Sequence, residues 1–144
     1  MSVLKQVPAT CTDPHRAALE SVRAELKSNY LERDEGIDSL LTALLARQHV
    51  LLLGPPGTAK SQLVNSLTAS IEGATCFSWL LTRFSTPDEV FGPISLAALQ
   101  QDRVARITTG KLPEAHVGFV DEIFKSSSAI LNSLLTLANE RVFY

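Results

Sequence analysis

Val50-Leu51-Leu52-Leu53-Gly54-Pro55-Pro56-Gly57-Thr58-Ala59-Lys60-Ser61 is the stretch whose reading decides the fold. Four apolar residues run straight into a glycine- and proline-bearing loop that ends in Lys-Ser. A helical pattern follows, with Leu63, Val64, Leu67 and Ile71 on one face. Strand, glycine-bearing loop and helix is the layout of a phosphate-binding P-loop. Phosphates require a concave row of backbone N–H groups, so the loop side chains must be small or turned away. The positive end of the helix dipole then faces the anion. Lys60 is expected to reach the β- and γ-phosphates of a nucleotide, and the Ser61 hydroxyl to ligate Mg²⁺. The pattern G-x-x-x-x-G-K-[ST] has glycine before the lysine, where this chain has Ala59. Alanine is expected to be tolerated there on a backbone of negative φ. The plainer alternative is a buried strand, a Pro-Gly turn and an ordinary amphipathic helix.

A second signal lies downstream. Val117-Gly118-Phe119-Val120-Asp121-Glu122 is an apolar run that ends in two acids. In an open parallel sheet, ligands bind at the carboxyl ends of the strands. The loop follows one strand end and the acidic pair closes another, so both point to one edge of the sheet. Asp121 is placed to hold Mg²⁺ through water, and Glu122 to orient or deprotonate a water for in-line attack on the γ-phosphorus. Without the loop, an Asp-Glu pair reads simply as the start of a solvated turn.

The remaining chain supplies the elements around these two. Met1–Thr12 has no clear period and reads as an irregular start. Asp13-Pro14 opens a helix, Asp as N-cap and Pro at its first position, with Leu19, Val22 and Leu26 on one face and an end near Asn29. A second helix begins near Asp34, its apolar face formed by Ile37, Leu40, Leu41, Leu44 and Leu45. Val50–Leu53, Thr75–Leu81 and His116–Val120 read as strands, and Gly73 as the stop of the P-loop helix. Thr86-Pro87-Asp88-Glu89 has the pattern of a capping box, and its helix must break at Gly92-Pro93. Ile94–Leu99 is ambiguous between helix and strand, whereas Val104–Thr108 suggests half of a hairpin. Ser126–Asn139 closes as a helix with Ile130, Leu131, Leu134, Leu135 and Ala138 on one side. Strands alternating with helices imply a three-layer α/β fold on a parallel sheet.

Composition narrows the function classes. The 144 residues are 45% hydrophobic and 19% charged, a globular balance at single-domain length. A net charge of −2 without a basic run argues against a nucleic-acid footprint. Cys11 and Cys76 lie far apart, outside any metal spacing, and read as free thiols of a reducing compartment. No apolar run reaches membrane-spanning length and no hydrophobic signal segment opens the chain, so a soluble, cytoplasmic protein is expected. Arg83, Arg103 and Arg106 could serve a phosphate or a neighbouring subunit but read more simply as solvated arginines, His49 reads as a turn residue, and His116 as a strand opener without an acidic partner at metal spacing. Phe77 and Trp79 read as core residues.

From about Tyr30 onward the chain resembles an AAA+ ATPase, and more narrowly the MoxR family near its RavA branch. The strings that carry the resemblance are Tyr30-Leu31-Glu32-Arg33, LLLGPPGTAKS, TRFSTPDEVFGPIS at Thr82–Ser95, TTGKLPEA at Thr108–Ala115, FVDEIFK at Phe119–Lys125 and ILNSLLTLANER at Ile130–Arg141. Alanine before the lysine is common in that family. The resemblance implies a nucleotide-binding loop of Gly54, Pro55, Pro56, Gly57, Thr58, Ala59, Lys60 and Ser61, with Lys60 and Ser61 as the Walker A pair. Asp121 and Glu122 would be the Walker B metal and catalytic acids. Tyr30 and Arg33, within Tyr30–Asp34, would help cover the adenine base. Residues 1–29 would be an N-terminal helical segment and 30–144 a partial ATPase core, with the Phe91–Lys111 region resembling an insertion that remodels clients. The family's cofactors are ATP and Mg²⁺; its members form hexamers and act as chaperone-like machines, often with a von Willebrand factor A-type partner.

The resemblance also implies a sheet in which the fifth, first, fourth, third and second strands lie side by side. The fourth and fifth strands, both sensors, the arginine finger and the helical lid would follow Tyr144, so an N-terminal piece of a larger ATPase is expected. Two other classes stay open at this point: a nucleotide-binding module without turnover, and a DNA-directed relative such as a helicase. Salt-dependent DNA binding would favour the latter.

Overall fold

The computed structural model describes residues 13–55 and 57–141. The irregular start, Cys11, the place of Pro56 in the loop, and Val142, Phe143 and Tyr144 lie outside the described residues. The chain forms two compact units that divide between Val50 and Leu51.

The first unit is a pair of helices. In α1 (Pro14–Asn29) the Asp13 carboxylate accepts the His15 N–H at 3.0 Å, and Pro14 occupies the first turn, where it forfeits no helical hydrogen bond. Tyr30 closes α1, donating its N–H to the Leu26 carbonyl. In α2 (Asp34–Ala46), Asp34 and Glu35 place negative charge against the N-terminal dipole end. Leu26, Ile37, Leu40 and Leu41 are buried. Leu45, expected on the apolar face, is 64% exposed, so the buried stripe is narrower than the sequence pattern.

Asp38 ties the two helices together. Arg23 grips it with two nitrogens, at 2.6 and 2.7 Å, and Lys27 Nζ lies 2.9 Å from the same carboxylate. The hydrogen bonds from Arg23 and then Lys27 hold the Asp38 carboxyl well below the usual carboxylate range. A carboxyl whose folded-state pKa is depressed stabilises the fold fully above its unfolded value, about 3.9, and loses that contribution as pH falls further. Asp38→Asn is therefore expected to melt below the parent at neutral pH, with the difference shrinking once pH drops below about 4. A difference that stays constant down to pH 2 would rule this out.

The second unit carries the sheet. β1 (Cys76–Leu80) and β2 (Val117–Asp121) pair in parallel, in register from Cys76↔Val117 to Leu80↔Asp121. Leu81 N–H extends the ladder to the Asp121 carbonyl at 3.0 Å. α3 (Lys60–Ala69) buries Leu63, Val64 and Leu67 and packs on both strands. It ends at Ser70, ahead of Gly73, whose φ of 74° serves the following turn. The sheet among the described residues thus has two strands, compatible with a P-loop fold but short of the three expected. Val50–Leu53 is not a strand. A strand is held by ladder partners, and this segment pairs with neither β1 nor β2.

The crossover from β1 to β2 runs through α4 (Pro87–Phe91), α5 (Leu96–Leu99) and a 3-10 turn at Leu112–Glu114. Pro87 opens α4 as expected, but the capping box does not form, because the Thr86 carbonyl already accepts the Glu89 N–H. Ile94 pairs with Arg106 in a single antiparallel bridge, and α5 starts two residues later under the Ser95 cap. The half-hairpin expected at Val104–Thr108 reduces to that bridge. Arg106 pins the base of the excursion through an ion pair with Asp88 and a 2.6 Å hydrogen bond to the Gly92 carbonyl. Gly92 has φ 95°, and a Cβ there would collide with the Ile107 carbonyl. Gly92→Ala is accordingly expected to destabilise the protein by about 1–3 kcal/mol, read from the shift of its denaturation midpoint.

Phe77, Leu81, Val90, Phe91 and Ile130 form the core of this unit. Trp79 stacks on Phe77 with centroids 6.0 Å apart, as the core reading predicted. α6 (Ser128–Glu140) is capped by Ser127 and seals the core with Ile130, Leu134 and Leu137, whereas Leu135 faces outward. Among the described residues no helix is long and apolar enough to cross a membrane.

Candidate functional site

The loop before α3 is built by short-range bonds. Gly57 adopts φ 78°, open to glycine and strained for other residues. Thr58 Oγ1 donates to the Pro55 carbonyl at 2.9 Å, drawing the loop closed. The Lys60 ammonium folds over it, 3.0 Å from the Gly54 carbonyl, 2.9 Å from that of Pro55 and 3.4 Å from Thr58 Oγ1. Three oxygens thus hold a cation at the start of α3.

Ala59 departs from expectation. Its φ is 57° and ψ 23°, left-handed rather than negative in φ, so the sequence condition for tolerating alanine is not met. The loop must reverse sharply to enter α3, and the methyl group bears the strain. The Ala59 carbonyl accepts the Leu63 N–H at 2.9 Å, the first bond of the helix. Alanine supplies no capping oxygen, and the first N–H groups of α3 have no intrahelical acceptor. These donors, together with Lys60, suit an anion.

At the end of β2, the half-buried Asp121 accepts the Glu122 N–H through Oδ1 at 2.9 Å. Glu122 is left-handed, with φ 55° and ψ 37°, an uncommon conformation for a side chain of its size. The 3-10 turn Ile123–Lys125 follows, and Lys125 Nζ returns to Glu122 Oε2 at 3.3 Å. The Glu-x-x-Lys spacing of Glu122 and Lys125 is the one signal of this ion pair in the sequence.

α3 and β1 are of similar length. Ten helical residues span about 15 Å. The five of β1 span about 16 Å. A short turn joins α3 to β1, and α3 packs on both strands, with Asn65 of α3 beside Cys76 at the start of β1. The hydrogen bonds of Lys60 stay within its loop, and those of Glu122 within its turn. Ser61 is exposed in the first turn of α3. A hydroxyl and a carboxylate are the oxygen donors a hard cation such as Mg²⁺ takes.

Tyr30 and Arg33 belong to the first unit, where Tyr30 caps α1 and Arg33 precedes α2. His116 turns out to be a strand-end staple, its Nδ1 accepting the Thr75 N–H at 3.2 Å. Cys76 is a free, exposed thiol, 3.3 Å from Asn65 Oδ1.

Comparison with known proteins places these features in a family. Residues 17–144 match the family model described as the MoxR domain in MoxR-vWA-beta-propeller ternary systems. Two uncharacterized proteins of Methanocaldococcus jannaschii, MJ0812 and MJ0079, are each 50% identical over 127 residues, 88% of this chain but 34% and 33% of their own lengths. The structural protein ORF618 of Acidianus two-tailed virus is 31% identical over 121 residues, 81% of this chain and 20% of its own. The chain therefore spans about a third of the length of the first two relatives. The match to the family model covers nearly all the described residues, and the chain belongs to the MoxR family of AAA+ ATPases.

Proposed function

We propose that residues 30–144 form the nucleotide-binding part of an ATP-hydrolysing, chaperone-like MoxR machine that remodels or assembles protein complexes. The observation that carries this reading is the lysine-bearing loop at the uncapped start of α3, supported by the acidic pair that closes β2. In this reading Gly54, Pro55, Pro56, Gly57, Thr58 and Ala59 wrap the phosphates with backbone N–H groups. Lys60 exchanges its loop carbonyls for β- and γ-phosphate oxygens. Ser61 and Asp121 would hold Mg²⁺, which would neutralise phosphate charge when bound. Glu122 orients and deprotonates the attacking water, so the γ-phosphorus gains a bond to that oxygen as its bond to the β–γ bridging oxygen breaks.

The TRFSTPDEVFGPIS and FVDEIFK strings favour a place near the RavA branch. A von Willebrand factor A-type protein is the proposed partner, consistent with the systems for which the family model is named. A cytoplasmic homo-hexamer acting on protein clients, without nucleic acid, completes the proposal.

Lys60→Ala tests the binding half. Loss of a charge-assisted contact costs about 1.5–3 kcal/mol, so calorimetry is expected to show ATP affinity about tenfold to a hundredfold weaker. Unchanged affinity would remove Lys60 from this role.

A further inference from the structure

In a 3-10 turn, residues three apart lie one above the other. The turn Ile123–Lys125 begins directly after Glu122, and the Lys125 N–H donates to the Glu122 carbonyl at 2.8 Å. That bond sets the Lys125 side chain over Glu122, and Nζ meets Oε2 at 3.3 Å. Both residues line an open depression with Leu80, Arg83 and Phe84, at the carboxyl ends of β1 and β2. Glu122 is fixed from below as well: its own N–H is held by Asp121 Oδ1, in a left-handed backbone. Its backbone is thus set by Asp121 and its carboxylate by Lys125, with Oε2 taken and Oε1 left for another partner.

We propose that Lys125 is the positioning residue of Glu122, fixing the carboxylate so that Oε1 faces the attacking water. This rests on the ATPase reading above. An exposed ion pair contributes little to folding, and the Lys125 and Glu122 side chains are 65% and 41% exposed. What the pair supplies is direction. A misplaced base in a hydrolytic site costs rate out of proportion to its contact energy, because the reacting atoms must meet within a narrow geometry.

The test uses the full-length protein, with turnover, ATP affinity and melting temperature measured together. Lys125→Met is expected to lower kcat about tenfold to a hundredfold, leaving ATP affinity and the melting temperature unchanged. Lys125→Arg, which keeps the charge, is expected to restore most of the rate. In a Glu122→Gln background, Lys125→Met should have no further effect, because the two residues act as one unit. Parental kcat in Lys125→Met would overturn the positioning role, as would a loss that adds fully to that of Glu122→Gln. A matching fall of melting temperature and rate in both Met and Arg variants would also overturn it, showing a structural residue. Parental turnover in Glu122→Gln alone would overturn the catalytic reading itself, and the two failures are thereby distinguished.

Discussion

Replacing Glu122 with glutamine is expected to lower ATP turnover about 10²–10⁴-fold while leaving MgATP binding intact, the range spanned by general-base catalysis. Glutamine keeps the length and shape of the side chain, can still accept a hydrogen bond from Lys125, and demands nothing new of the left-handed backbone at this position. What it cannot do is take a proton from water. In the proposed site, binding rests on Lys60 and the loop amides, which the substitution does not touch, so affinity and turnover should separate cleanly. Asp121→Asn is expected to behave differently. Its carboxylate stands at the strand end where Mg²⁺ would be held, so the variant should need more Mg²⁺ to reach its maximal rate. Steady-state kinetics at several Mg²⁺ concentrations distinguishes the two. A Glu122→Gln protein hydrolysing ATP at the parental rate would end the catalytic assignment.

The features legible in the sequence are those set by local chemistry. Asp13-Pro14 opens α1, Gly92-Pro93 ends α4, and the apolar run before Asp121 is a strand, each because neighbouring residues suffice. The features that escaped it depend on something outside the local window. The Val50–Leu53 run is apolar enough for a strand, but strand formation needs a partner, and composition does not say which segment will supply one. Ala59 shows a loop closure overriding the preference of a single residue for negative φ. The Thr86 side chain lost its capping role to its own carbonyl, a competition between two acceptors for one N–H. The candidate site was legible at the level of Lys60, Ser61, Asp121 and Glu122, since a phosphate loop and an acidic strand end are local patterns. The link between Glu122 and Lys125 emerges only once the intervening residues form a 3-10 turn rather than a strand or an α-helix.

Residues 1–144 expressed alone are expected to be poorly soluble or loosely packed and to show no appreciable ATPase activity. Leu51 is 61% and Leu53 78% exposed, and Leu80, at the end of β1, is 59% exposed. Side chains of this kind next to a P-loop ordinarily lie inside a sheet. The AAA+ strand order would seat a further strand between Val50–Leu53 and β2. Without it, the outer edge of β2 would present unpaired N–H and C=O groups, and unpaired strand edges are templates for aggregation. Each polar group buried without a partner costs about 1–3 kcal/mol, and a few of them would consume most of a domain's ~5–15 kcal/mol of stability. A two-stranded sheet offers little in compensation. In the proposed machine, turnover also depends on an arginine finger, which contributes about 10³–10⁵ in rate where one operates. The Methanocaldococcus jannaschii relatives are about three times the length they share with this chain. Joining residues 1–144 to the corresponding remainder should therefore restore both solubility and hydrolysis. Size-exclusion chromatography, a thermal melt and a phosphate-release assay on the two forms decide the matter. A sharp cooperative melt of residues 1–144 alone, with steady ATP turnover, would show that these strands and this site complete themselves without further chain.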